Sequence, residues 1–147
     1  MYTIDTSVWV NGFDHREAGH DISRQLLEQL GGQALSIIVP SLLLVEVAGA
    51  ISRTRQDAEQ AQAFATALSQ LPNVTFVSLD ETLVRQALGL AAQHQLRGAD
   101  AVYAAVALHT GCTLISLDRE HLTRLKSVVT VLTPAELLQD LIPPQEQ

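Results

Sequence analysis

Four carboxylates stand in places where an acid is expensive to keep. Asp5 closes the opening run MYTID and is followed by Thr6 and Ser7, and Asp118 closes TLISLD in the same manner. Between Pro40 and Arg53 the one acid or base is Glu46, set in SLLLVEVAGAIS, and between Arg97 and His109 it is Asp100, set in GADAVYAAVAL. A carboxylate taken out of water without a partner costs several kcal/mol. Arg53, Arg97 and Arg119 can neutralise one or two of these acids, but basic residues in suitable places are too few for all four. A divalent cation held by hard oxygen donors would compensate the group together. The local explanations are ordinary ones: Asp5 or Asp118 as a helix N-cap, Asp100 as a cap through Gly98-Ala99, Glu46 paired with an arginine. Each suffices alone, whereas together they require four coincidences that one metal site replaces. Asp5, Glu46, Asp100 and Asp118 are then the candidate ligands of such an ion. Replacing one acid with its amide would then relieve mutual repulsion and can stabilise the metal-free chain.

Other chemistries find less support. An aspartyl-nucleophile phosphatase would use Asp5 but needs a second acid two residues later, where Ser7 stands. Cys112 has no partner for a bridge and lies in the apolar run CTLISL, which reads as a buried inert thiol. The five histidines form no zinc pattern, and a surface or capping role is expected for His94, His109 and His121. Arg97 and Arg119, each beside an acid, are candidates for phosphate contact, as is Arg53 with Arg55 at a helix end. Trp9 and Phe13 read as core.

The elements that would carry these groups alternate. Strand-like runs fall at residues 2–5, 35–39, 75–78, 113–117 and 128–132, each followed by helical character. Ile22, Leu26, Leu27 and Leu30 share one helical stripe, Ala61, Phe64, Ala65 and Leu68 a second, and Leu83, Ala87, Leu90 and Ala91 a third. Helix pairs are expected at 41–54 with 57–71 and at 80–95 with 99–110. The helix bearing Glu46 should be largely buried, because it is apolar nearly all round. Ser41, Asp80 and Thr133-Pro134 mark helix starts. The pattern predicts a three-layer α/β/α sandwich around a mostly parallel sheet of about five strands. Asp5 and Asp118 would then lie at the carboxyl ends of strands, where open α/β sheets bind ligands.

The bulk numbers set limits. The chain has 147 residues, 47% of them hydrophobic, which suits one domain over residues 1–142 with 143–147 as a flexible tail. Apolar runs are interrupted by Pro40 and Glu46, so no membrane span is expected, and the opening residues do not resemble a signal peptide. Cytoplasmic location follows as an expectation. A net charge of −7 disfavours simple nucleic-acid binding, although a bound cation reverses the local field of an acidic cluster. A catalytically silent protein-interaction domain, its acids serving only as caps and ion-pair partners, is the alternative from outside enzymology.

The chain resembles the PIN-domain ribonucleases, and within them the VapC-like toxins of type II toxin–antitoxin systems. The resemblance rests on IDTSVWV, VPSLLLVEVAGAI with Glu46, LRGADAVYAAVAL with Asp100 and TLISLDREHL with Asp118, in that order over nearly the whole chain. It implies an endoribonuclease whose acids at these four places hold one or two Mg²⁺ or Mn²⁺ ions, with Thr6, Ser7 and Ser116 in support. Many relatives have Thr where Ser116 stands and a small or polar residue where Leu117 stands, a departure beside Asp118. The resemblance also implies an RNA substrate, a homodimer and a cognate antitoxin whose segment lies along the acidic groove.

Overall fold

The computed structural model describes residues 1–143; residues 144–147 of the expected tail lie outside the described residues. Five strands form one sheet: β1 (Tyr2–Ile4), β2 (Ile37–Pro40), β3 (Val74–Val77), β4 (Thr113–Ile115) and β5 (Val131–Leu132). Their order is β3-β2-β1-β4-β5, and every pairing is parallel. The expected strand at 128–132 shrinks to two residues because Val128 belongs to a turn, its N–H bonding to the Leu125 carbonyl at 2.8 Å.

Parallel neighbours need crossovers, and the helices supply them: α1 (Thr6–Phe13), α2 (His20–Gly32), α3 (Leu42–Arg55), α4 (Ala58–Ser69), α5 (Glu81–His94), α6 (Gly98–Thr110), α7 (Arg119–Arg124) and α8 (Pro134–Leu141). Helix α6 lies on β1, β2 and β4, and α5 packs on α6. The run of alanines explains its close approach: from Ala101 to Ala107 all side chains are buried, Tyr103 included. Helices α1, α2, α3, α4 and α8 pack among themselves, which completes a three-layer α/β/α sandwich. Helix α6 ends at Gly111, whose φ of 69° is a left-handed turn that returns the chain into β4.

The core is continuous, with Ile4, Val8, Leu26, Leu30, Val39, Leu43, Val47 and Leu114 wholly inaccessible. Of the helical stripe read on α2, Leu26 and Leu30 are core but Ile22 is 42% exposed. Helix α3 departs further from expectation. It buries only the stripe Leu43, Val47 and Ile51, and leaves Val45 70% exposed, so its apolar composition overstates its burial. Asp80 and Thr133 cap their helices as expected, Thr133 through a capping box with Glu136, but Ser41 makes no side-chain cap. No described helix is long and apolar enough to cross a membrane.

Strand order places the site. From β1 the chain steps outward through β2 to β3, then returns across the sheet to β4 and β5, so connections diverge between β1 and β4. The crevice beyond the carboxyl ends of two such strands is where open α/β sheets accept ligands. Asp5 follows β1 and Ser116 follows β4.

Candidate functional site

Asp5 is buried, and both of its oxygens are occupied. Oδ1 accepts from the Ser7 backbone N–H at 3.1 Å and from the Ser7 hydroxyl, and Oδ2 accepts from the Ser116 hydroxyl. The residue is therefore the N-cap of α1, as its local explanation required. The capping role does not exhaust it. Nδ1 of His121 lies 2.9 Å from Oδ2, although the two residues are 116 positions apart in sequence.

His121 overturns the expectation of a surface or capping histidine. It is 1% exposed and reaches two of the four acids, with Nε2 3.3 Å from Asp100 Oδ1. That second contact is an ion-pair approach, since among the described residues Nε2 makes no hydrogen bond. Burial alone would lower the imidazole pKa. Its contacts with Asp100 and Asp5, and then the charges of both, outweigh burial and push it up to about 10. The two flanking carboxylates thus favour the protonated ring. His20 is buried as well, with Nδ1 2.8 Å from the Asn11 carbonyl.

Glu46 is half-buried and finds no arginine. Its Oε1 accepts from Thr6 Oγ1 at 2.9 Å and from the Tyr103 hydroxyl at 2.7 Å, and those two hydroxyls lie 2.8 Å apart. Burial, and then the Glu46 charge, raise the Tyr103 pKa far above the usual phenol range, which keeps the hydroxyl a donor. Thr6 directly follows Asp5 and Tyr103 lies one turn beyond Asp100, so Glu46 is tied to the elements that carry those acids.

Asp118 is the N-cap of α7, accepting from the Glu120 N–H at 2.8 Å. It joins the others indirectly: its own N–H donates to Ser116 Oγ at 2.9 Å, the hydroxyl that donates to Asp5. Leu117 is exposed, and its N–H donates to Ser7 Oγ at 3.1 Å. Thr6, Ser7 and Ser116 therefore all stand within the network. Asp100 lies in the first turn of α6 rather than at its cap, which is Arg97.

The arrangement is a hydrogen-bonded chain rather than a closed cage. Among the described residues no three His, Cys, Asp or Glu side chains gather to hold an ion together. The donor chemistry nevertheless suits a hard cation, because Glu46, Asp100 and Asp118 are half-buried carboxylates that each spend only one oxygen on the contacts described.

The arginines do not pair with the acids. Among the described residues Arg53, Arg97 and Arg119 form no ion pair with any of the four, and all three are exposed. Arg55 is not free to grip phosphate, because its Nη2 lies 3.2 Å from Asp14 Oδ1 and its guanidinium lies over Phe13. Trp9 is core, donating to the Ile4 carbonyl, and Phe13 packs edge-on against Phe64. An apolar cleft of about 380 Å³ lies elsewhere, between α1, α2 and α4, and contains none of the four acids.

A parallel α/β sheet with Asp5, His121 and Asp100 linked at its switch point defines the class of this molecule. Its family follows from the sequence: the PIN domain profile matches residues 2–127, and the chain belongs to the PIN-domain family. No curated protein matches it. Among solved structures the fold is similar to that of Mycobacterium tuberculosis VapC20, a sarcin-ricin loop cleaving toxin, with a TM-score of 0.72 and 18% identity over 88% of this chain and 97% of that one. A toxin–antitoxin complex from Klebsiella pneumoniae matches with a TM-score of 0.69 and 19% identity, covering 91% and 98%. PAE2754 from Pyrobaculum aerophilum matches with a TM-score of 0.65 and 22% identity, covering 95% of each chain.

Proposed function

We propose that this chain is a Mg²⁺- or Mn²⁺-dependent endoribonuclease, the toxin of a toxin–antitoxin pair acting in the cytoplasm as one compact domain. The observation that carries the reading is the link from Asp5 through His121 to Asp100, with Glu46 fastened beside it by Thr6 and Tyr103, at the sheet's switch point. Membership of the PIN-domain family adds to it.

Asp5, Glu46, Asp100 and Asp118 would hold one or two ions. Mg²⁺ keeps several waters and needs only one or two carboxylates, so a closed protein cage is not required. When bound, a divalent ion supplies Lewis acidity at the scissile phosphate and lowers the cost of activating water there. The chain's own residues do the rest. Ser7 and Ser116 fix the Asp5 carboxylate, Thr6 and Tyr103 fix Glu46, and the α7 cap fixes Asp118. Arg53, Arg97 and Arg119 are the candidates to neutralise RNA phosphates, since all three are exposed and lie near the acids in sequence. An aspartyl-phosphate route suits Asp5 poorly, because Ser7 stands two residues on, where a second acid is needed, and its hydroxyl donates to Asp5 instead.

The half-buried carboxylates of Glu46, Asp100 and Asp118 suit an antitoxin segment that carries arginine. Val84 and Leu88 of α5 line an apolar groove with Leu42 of α3 and Val102 of α6, the kind of surface that a second copy of the chain would cover. A specific observation favours the silent-domain reading: each of the four acids already has a protein partner in the metal-free chain. RNA incubated with Mn²⁺ or Mg²⁺ separates the two. We expect cleavage that EDTA stops and that Asp100→Asn abolishes. Cleavage that survives in the variant, or none from wild type with either ion, overturns the nuclease. Failure to form a stable complex with the product of the neighbouring gene overturns the toxin assignment alone.

A further inference from the structure

Helix α7 is six residues long, and among its side chains only that of His121 is buried. Its neighbours Thr123 and Arg124 face solvent. The two carboxylates that His121 touches are not equally dependent on it. Asp5 also receives the Ser7 backbone N–H, the Ser7 hydroxyl and the Ser116 hydroxyl, so its orientation is fixed without the ring. Asp100 has no such support. Its one polar side-chain contact among the described residues is the 3.3 Å approach of His121 Nε2, and the side chain is 20% exposed, with room to rotate toward water.

Resting on the metal-dependent reading above, we propose that His121 is a positioning residue for Asp100: its Nδ1 anchors the ring on the rigid Asp5, and its Nε2 holds the otherwise free Asp100 carboxylate toward the ion site. The ring is a strut from the best-fixed acid to the least-fixed one. Outer groups that orient metal-binding side chains typically change metal affinity by about 10- to 100-fold when removed. The two nitrogens have separate tasks, and two substitutions separate them. Asn places its amide near the Nδ1 position and keeps the Asp5 contact, whereas Gln reaches the Nε2 position and keeps the Asp100 contact.

The test is Mn²⁺ binding by calorimetry on the full chain, with circular dichroism to confirm folding. Wild type, His121→Asn, His121→Gln and Asp100→Asn are compared. His121→Asn should bind Mn²⁺ about 10- to 100-fold more weakly than wild type, close to Asp100→Asn, and His121→Gln should recover most of that loss. Equal affinity of His121→Asn and wild type overturns the proposal. Equal loss in both histidine variants overturns it too, since a direct ligand or a purely structural residue behaves in that way. If His121→Asn does not fold, His121→Gln decides alone: Mn²⁺ affinity within about threefold of wild type supports the strut, and a loss of tenfold or more sinks it. Absence of Mn²⁺ binding by wild type removes the metal site itself and this inference with it, an outcome distinct from the others.

Discussion

The Tyr103 hydroxyl donates to Oε1 of Glu46 at 2.7 Å, joining α6 to α3 through one carboxylate oxygen that Thr6 of α1 also reaches. Three helices meet at this atom. The phenol reads in the sequence as one more core residue of an alanine-rich helix, yet its oxygen is what orients Glu46. Tyr103→Phe keeps the ring's packing and removes this donor. A hydrogen bond to a charged group contributes about 1.5–3 kcal/mol, and the low end applies because Glu46 is half-exposed and keeps Thr6. Urea denaturation in EDTA should show a loss of about 1.5 kcal/mol. Cleavage should slow through kcat, with KM for RNA unchanged; a change confined to KM would place Tyr103 in substrate binding instead.

Asp100→Asn should not stabilise the metal-free chain. Repulsion among bare acids predicts a gain, but Asp100 faces His121, whose pKa is held at about 10 by its contacts with Asp100 and Asp5 against the opposing effect of burial. Removing the charge takes a favourable partner from the buried His121 ring, which the raised pKa favours in its protonated form. The thermal midpoint at pH 7 in EDTA is expected to fall. A rise would mean that carboxylate repulsion dominates after all.

Asp14 ties the end of α1 to the end of α3. Its pKa is lowered from 3.8 to about 2 by the Arg16 guanidinium, then by the Arg16 backbone N–H, with the charges of Arg16 and Arg55 adding to both against the cost of burial. A depressed carboxylate contributes stability that is complete above its unfolded pKa and is lost as pH falls through the folded one. The contribution should therefore persist down to about pH 4 and fade toward pH 2. Thermal melts across that range should show the gap between wild type and Asp14→Asn closing as acid is added. A gap of constant width would mean that shape, not charge, makes Asp14 matter.

Gly49 gives Arg53 room to lie back along α3. A Cβ at this glycine would stand 3.2 Å from Arg53 Nη1, the far end of an exposed and flexible side chain. Ala in place of Gly inside a helix gains roughly 0.5–1 kcal/mol, so Gly49→Ala should be slightly more stable while displacing the guanidinium. If Arg53 meets phosphate, Arg53→Ala and Gly49→Ala should both weaken binding of RNA to the chain, and Arg53→Ala should also reduce its salt dependence. Unchanged affinity in both variants would return Arg53 to the role of a solvated surface charge.

The sequence by itself determined the architecture and singled out four acids as candidates. Alternating strand and helix signals are local, and they located all five strands to within a few residues except the last, where a turn took Val128. Asp5, Glu46, Asp100 and Asp118 stood out as candidates because a lone charge on an apolar element is conspicuous whatever surrounds it. Burial was less legible. The apolar helix α3 turned out half-exposed, since composition records what a side chain is and not which neighbour covers it. Only the tertiary structure decided what each acid touches. His121 lies in REHLTR, a polar stretch with no signal of which side turns inward, and its importance arises when β4 and β1 pair and bring α7 over Asp5. Contacts between residues more than a hundred positions apart depend on strand order and on the placing of a short helix, which periodicity along the chain does not encode.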